Sequence, residues 1–480
     1  MLRFAIPVAL LLAGTANATI DFTGSLAIAG GDTDLSGISP NFGGNRLSFG
    51  SDLFYDRSSS SFWGITDRGP GGGVIDFAPR VHQFTLDISS AGAVGGYTLL
   101  KTVVFKQADG VTPFTGLNPL LAPQGSKSVL GGSFDPEGFH RLANGNMLVS
   151  DEYGPSVYEF DSEGVLIRAF EVPANLVPRQ ADSSINYVDG RPTITSGRQD
   201  NRGYEGLTVS ADGTKVYAIL QDPLVNEGRG GQGRRSRNLR IVEYDMATGQ
   251  QTAQYAYQLE SIADINLRTT TAFQENQQGR NIGVSSITAL PNGQFLVIER
   301  DNRGIGVDDG TGASSIGTKR VYLVSLAGAT DVKDISFAGS SMLPGGVVPV
   351  AKSLYLDVYQ ALADAGITVG EKLEGLSFGP AIDGGLSLVL VTDNDFSVTQ
   401  TGQGVQLDVC SSGVGGITSQ VALGAACPNG QALLPTYAYV FKVSGDSLAA
   451  VVPEPATWGM MIAGFGLVGS ALRRRRVLAA

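Results

Sequence analysis

Five stretches of the chain repeat one pattern: a short apolar strand, a polar turn, a second apolar strand, then an acidic or amide cluster. The clearest copies are FDPEGFHRLANGNMLVSDEYG from Phe134, NRGYEGLTVSADGTKVYAILQDP from Asn201 and KLEGLSFGPAIDGGLSLVLVTDND from Lys372. Looser copies begin at Gly50 (GSDLFYDRSSSSFWGITDRG) and Gly283 (GVSSITALPNGQFLVIERDN). Repetition of this kind means one supersecondary unit used several times, and such a unit buries its faces only against its neighbours.

The turns carry Asn144-Gly145, Asp212-Gly213, Asn292-Gly293 and Asp383-Gly384, with Ser58 to Ser61 in the first copy. Asn-Gly and Asp-Gly favour hairpins because both residues tolerate positive φ. Further strands follow most copies: SVYEFD then VLIRAFEV, RIVEYD then QTAQYAYQL, KRVYLVSL then VKDISFA, and VHQFTLDI then YTLLKTVVF. Four antiparallel strands per repeat predict an all-β propeller. Five repeats are countable, and the N-terminal DFTGSLAIAG offers a strand to close the last blade, so five or six four-stranded blades are expected. The repeats recur at roughly 70–90 residues, against about 40–50 for compact blades. Long loops must therefore intervene, chiefly 172–201, 222–240, 340–373 and 401–434, and SLYLDVYQALADAG is expected to include a helix.

A content of 42% hydrophobic residues supports a large core, and 65 glycines suit a turn-rich β fold. The net charge of −11 argues against a nucleic-acid partner, which would call for basic faces. Residues 1–18, with Arg3, an apolar run and Ala16-Asn17-Ala18, read as a secretory signal peptide. At the other end, Pro453-Glu454-Pro455, Trp458, an apolar stretch to Leu472 and Arg473 to Arg476 resemble the PEP-CTERM sorting signal. That resemblance implies a Gram-negative exported protein. The segment 458–472, as a membrane helix, would hold it transiently at the inner membrane until a sorting peptidase acts at 453–476. The protein would then reach the cell surface or the medium, with the propeller domain over 19–450. In that setting Cys410 and Cys427 are expected to form a disulfide rather than a metal site.

Aligning the repeats gives one column ahead of the first strand: Ser51, Glu137, Glu205, Ser285 and Glu374. A second column follows the second strand: Asp67, Asp151, Gln221, Arg300 and Asp393. Next come Arg68, Glu152, Asp222, Asp301 and Asn394. An antiparallel hairpin sets the start of one strand beside the end of the next. With the first strand innermost, these side chains should gather at one end of the central channel. Crowded carboxylates repel, and a hard cation with oxygen ligands, calcium first, relieves them. The plainer alternative stands beside it: a glutamate there bridges neighbouring backbones, and an aspartate closes a turn. Arg68 and Arg300 are counter-charges or hold an anionic group. The loop NEGRGGQGRRSRNLR carries Arg229, Arg234, Arg235, Arg237 and Arg240, which either grip an oxyanion or form a solvated loop. With no HExxH, no GxSxG at a nucleophile elbow (GLSFG from Gly375 lies within the first strand of its repeat), and only His82 and His140, a serine triad or histidine metal centre finds no support.

The blocks DPEGFHRLANGNMLVSDEYGPSVYEFDSEG, NRGYEGLTVSADGTKVYAILQDPL, ERDNRG and KLEGLSFGP with VTDNDFSV, in that order, resemble the phytase-like family described by esterase-like activity. The likeness runs from about Thr23 to Val443. It implies a propeller in which calcium, held by channel-end carboxylates, orients a phosphate ester and activates water. By that resemblance Glu137, Asp151, Glu152, Glu205, Asp222, Glu374 and Asp393 would be metal ligands, and Glu205, Asp151, Arg68 and Arg300 catalytic. Ser51 and Ser285 depart from the glutamate of the other repeats. The expected activity is calcium-assisted hydrolysis of a phosphoric or carboxylic ester on a small or polymeric anionic substrate. The alternatives are a non-catalytic extracellular propeller that binds a polysaccharide or protein, and a sugar-lactone hydrolase.

Overall fold

The strands alternate buried and exposed positions at the periphery and are buried throughout near the axis. The computed structural model describes residues 19–38, 45–188 and 190–445. After β1 (Thr19–Ile28), the first sheet holds β2 (Asp52–Asp56), β3 (Ser61–Ile65), β4 (Arg80–Ile88) and β5 (Val94–Val104). The second holds β6 (Pro136–Arg141), β7 (Met147–Asp151), β8 (Ser156–Phe160) and β9 (Leu166–Ala169). The third holds β10 (Tyr204–Val209), β11 (Lys215–Leu220), β12 (Asn238–Asp245) and β13 (Gln251–Gln258). The fourth holds β14 (Ile282–Ala289), β15 (Phe295–Asp301), β16 (Lys319–Ser325) and β17 (Ala351–Asp357). In the last ring sheet β18 (Lys372–Ile382) and β19 (Gly385–Asp393) are completed by β24 (Thr436–Ser444) and then by β1. The N-terminal strand thus adds the outermost strand to the sheet formed by the C-terminal part of the chain, as its sequence suggested.

Contacts run β2 to β6, β6 to β10, β10 to β14, β14 to β18 and β18 back to β2. Five four-stranded sheets therefore surround one axis with their first strands innermost, the arrangement of a propeller. Between the sheets lie apolar layers, for example Leu207, Ile219, Val242, Ile287 and Val297 in one continuous cluster. The hairpin turns work as their sequence demands: Gly213 takes φ +72°, its N–H donates to Ser210, and the Asp212 carboxylate accepts from Thr214 N–H at 3.0 Å.

One expectation needs correction. VKDISFA is not the fourth strand of its sheet; that place belongs to β17, which begins 14 residues after Phe337. The segment instead caps the neighbouring sheet. Val332 N–H donates to the Gln254 carbonyl at 2.7 Å, and Val332 and Phe337 bury themselves against Ala256. The stretch SLYLDVYQALADAG includes the expected helix, after a first half that belongs to β17. Only Val358–Asp364 is helical, capped by Asp357 accepting from Gln360 N–H at 3.1 Å.

The insertion after β19 forms a sixth sheet, from β20 (Val398–Gln400), β21 (Gln406–Ser411), β22 (Thr418–Ala422) and β23 (Ala432–Leu433), which pairs with none of the ring sheets. The Cys410–Cys427 disulfide closes it, and the buried Arg46–Asp408 pair, 2.8 Å apart, ties it to the body. Among the described residues no helix is long and apolar enough to cross a membrane. The signal-peptide and sorting segments, including 458–472, lie outside the described residues.

Candidate active site at the channel end

Four of the five inner strands share one irregularity. Register slips between Pro136 and Phe139 in β6, Tyr204 and Gly206 in β10, Val284 and Ser286 in β14, and Leu373 and Gly375 in β18. The bulged positions are Glu137, Glu205, Ser285 and Glu374, the first column of the repeat. A bulge adds one residue to a strand and re-aims its side chain, here toward the channel end. The glycine that follows serves packing. A Cβ on Gly138 would lie 2.3 Å from Leu207 N, and one on Gly206 2.8 Å from Ile287 N. The recurring Glu-Gly pair is therefore one device that turns an acid inward while letting neighbouring inner strands approach.

The first repeat has Ser51-Asp52 in that place. Asp52 accepts from Leu53 N–H at 2.8 Å, Phe139 N–H at 2.9 Å and Ser286 Oγ–H at 3.2 Å, tying β2, β6 and β14 across the axis. Burial pushes its carboxyl well above the usual range.

A cavity of about 210 Å3 at the channel end brings together Asp67, Arg68, Glu137, Glu152, Glu205, Gln221, Asp222, Arg300 and Glu374 from the predicted columns. Arg202, Lys372, Glu371 and Arg280 join them. The other column members stand behind this lining. Asp151 spends both oxygens on backbone, accepting from Asp135 N–H at 3.0 Å, Tyr153 N–H at 3.2 Å and Gly154 N–H at 2.9 Å. Asp301 likewise holds Gly317 and Thr318 N–H and the buried Lys319 ammonium. Asn394 accepts from Ser48 and Phe396. Ser285 accepts from Arg300 Nε–H at 2.8 Å.

Two carboxylate triads have oxygens within 4.8 Å of one another: Asp135, Glu137 and Glu152, and Asp67, Asp393 and Asp395. The sequence columns contain Glu137, Glu152, Asp67 and Asp393 but miss Asp135 and Asp395. Asp135 had a signal, since it stands two residues ahead of Glu137, where Lys372 stands two ahead of Glu374 and Arg202 three ahead of Glu205.

Cations interleave with the acids. Arg68 Nη1 sits 3.2 Å from Asp135, Arg202 Nε 3.3 Å from Asp222, and Lys372 Nζ 2.6 Å from Asp395 and 3.4 Å from Asp393. Arg300 contacts Glu374 and lies 3.8 Å from Glu205, whose other partner is the Gln221 amide. Burial, then the charges of Glu205, Asp135 and Glu152, holds the Glu137 carboxyl well above its ordinary value. Burial, then Glu152 and Glu374, does the same to Glu205. Asp135 is pushed up to about 7 by burial, against the pull of Arg68, and Asp222 to about 6 by burial, against Arg202.

This donor set fits a hard cation. All three members of the first triad are buried and offer oxygen only, and among the described residues Glu205 Oε2 is buried without a hydrogen bond. Eight carboxylates face five cations in the cavity lining, a surplus of negative charge that protons or a metal must balance.

The model of the phytase-like family, described as esterase-like activity of phytase, matches residues 46–396, and that of the PEP-CTERM protein-sorting motif matches 451–476. The sorting motif marks a chain exported toward the cell surface or extracellular space. A curated relative, an uncharacterized secreted protein of Arthroderma benhamiae, is 28% identical over 423 residues, covering 71% of this chain and 78% of its own length. Among solved structures, a luciferin-regenerating enzyme is 11% identical, covering 89% of this chain and 97% of its own, at a TM-score of 0.31. The virginiamycin B lyase of Staphylococcus aureus is 9% identical, covering 88% and 99%, at 0.29. Likenesses that loose add nothing to the fold read from the sheets. With nearly all the strands of the ring and the whole acidic channel end inside the matched span, the chain belongs to the phytase-like family.

Proposed function

We propose that the protein is an exported hydrolase of phosphate or carboxylic esters that works with calcium at the channel end, phosphate esters being the better fit. One observation carries the reading: Glu137 and Glu152, two members of a buried carboxylate triad, line one small cavity together with a set of guanidinium groups. Asp135, Glu137 and Glu152 would hold the cation. Calcium there would supply Lewis-acid polarisation of an ester oxygen. Arg68, Arg202 and Arg300 are set to bind an anionic group and to steady the charge that develops on it. Glu205 is the proton-transfer group, because burial keeps its carboxyl able to hold a proton and one of its oxygens has no partner.

The test is calorimetric titration of the mature chain with calcium, followed by turnover of p-nitrophenyl phosphate, p-nitrophenyl acetate and a lactone panel with and without chelator. Calcium-dependent ester hydrolysis that falls at least about a hundredfold in Glu205→Gln is expected. Calcium binding with no turnover on any ester or lactone would favour a non-catalytic binding propeller. Indifference of both activity and melting temperature to chelation would remove the metal from the reading.

A further inference from the structure

The arginine-rich loop of this acidic chain does not stand free in solvent. Arg234 and Arg235, on the short turn Gly233–Arg235, converge with Arg191 and Arg280 on a second cavity of about 560 Å3. Among the described residues no acidic side chain lines it. Among the described residues none of the four arginines forms an ion pair. Their internal hydrogen bonds are few: Arg234 Nε–H donates to Gln199 at 3.2 Å, and Arg191 donates to the Val225 carbonyl. Among the described residues Arg191 Nε is buried with no hydrogen-bond partner. The crowding shows in the titration of the groups. Burial, then the Arg234 charge, brings Arg191 down to about 10, and burial, then Arg280, lowers Arg234. Asp222 and Asp200 pull on Arg234 from outside the cavity and do not line it.

Four like charges around a common space repel unless an anion joins them, and guanidinium forks match the oxygens of a phosphate bidentately. Thr195, Asn276 and Gln277 border the same space and add neutral donors. Arg280 lines both this cavity and the acidic channel end, so the two are neighbours.

We propose that this arginine-lined cavity binds a phosphate group, and that it takes the second anionic group of a substrate whose reacting ester lies at the channel end. The identity of the ligand as part of that substrate rests on the function proposed above; phosphate binding by the cavity does not.

The experiment titrates the mature chain with inorganic phosphate, and separately with acetate, in calcium-free buffer. Phosphate should bind more tightly than acetate, and added salt should weaken it. The double variant Arg234→Gln/Arg235→Gln should weaken phosphate about tenfold or more, since charge-assisted hydrogen bonds are lost, while Glu137→Gln should keep it. Arg235→Gln alone is the safeguard against unfolding, because that side chain donates no hydrogen bond among the described residues, and it should weaken phosphate in the same direction. Phosphate affinity unchanged in both variants, or acetate binding as tightly as phosphate, would overturn the proposal. Ester turnover that proves independent of calcium, with phosphate binding still lost in the double variant, would sink the channel chemistry and leave this site standing.

Discussion

Removing the charge of Arg300 is the sharpest perturbation of the channel end. Arg300 contacts Glu374, lies 3.8 Å from Glu205 and donates to Ser285 Oγ at 2.8 Å. The side chains of the two acids are 4% and 3% exposed, so Arg300→Gln leaves two carboxylates without their cation and nearly without water. Breaking a buried pair from one side costs about 3–5 kcal/mol. For a chain of 480 residues the unfolding entropy is about 1 kcal/mol per kelvin, so the melting temperature should fall by about 3–5 °C at pH 8. The loss should shrink at pH 5. Without the cation the Glu205 carboxyl, which burial already holds above its ordinary value, keeps its proton to higher pH, so the penalty comes where it is forced to ionise. Millimolar calcium should restore part of the loss by replacing the missing charge. Scanning calorimetry of both proteins at pH 5 and pH 8, in calcium-free and calcium-loaded buffer, reads all three effects. A variant that melts with the parent, or an equal loss at both pH values, would refute the view that Arg300 balances this pair.

The calcium-free protein should lose stability as pH rises from about 5 to 8: folded Asp135 and Asp151 keep protons to about 7, the unfolded chain gives them up near 4, and the folded state therefore binds more protons in between. A fully buried group such as Asp151 contributes about 3 kcal/mol to that fall, and denaturant melts across the range with and without calcium should show calcium flattening it. Gly206→Ala should lower stability by about 1–3 kcal/mol in urea melts, because its Cβ would meet Ile287 N at 2.8 Å and the inner strands cannot part without disturbing the ring. Cys410→Ser/Cys427→Ser should make the sheet spanning 398–433 sensitive to limited proteolysis, since the disulfide closes a segment of sequence separation 17, worth about 3 kcal/mol by chain entropy, while the ring stays resistant.

The hairpins, their turns and the closing role of the N-terminal strand were legible in the chain because each is a local pattern. Apolar alternation sets the strands, and Asn-Gly or Asp-Gly sets the turn. The column Glu137, Glu205 and Glu374 was legible for the same reason: it precedes a glycine in each repeat. Its meaning was not, since a bulge exists only relative to a partner strand. Asp135 escaped the columns because it lies outside the hairpin and reaches the site by packing beside Arg68. VKDISFA misled because its alternation is that of a strand, yet it spends that pattern on the edge of the sheet next door.

Alone, the amino-acid order determined that one strand–turn–strand unit recurs, that it ends in acids, and that the two cysteines share an insertion, since these depend on neighbours within a dozen or so residues. Tertiary structure alone decided which acid meets which cation, that Asp151 serves the backbone rather than the cavity, and that Arg191 and Arg280 join Arg234 and Arg235 around one space. Those outcomes depend on distances between side chains tens to hundreds of residues apart, and only the closing of the ring sets such distances.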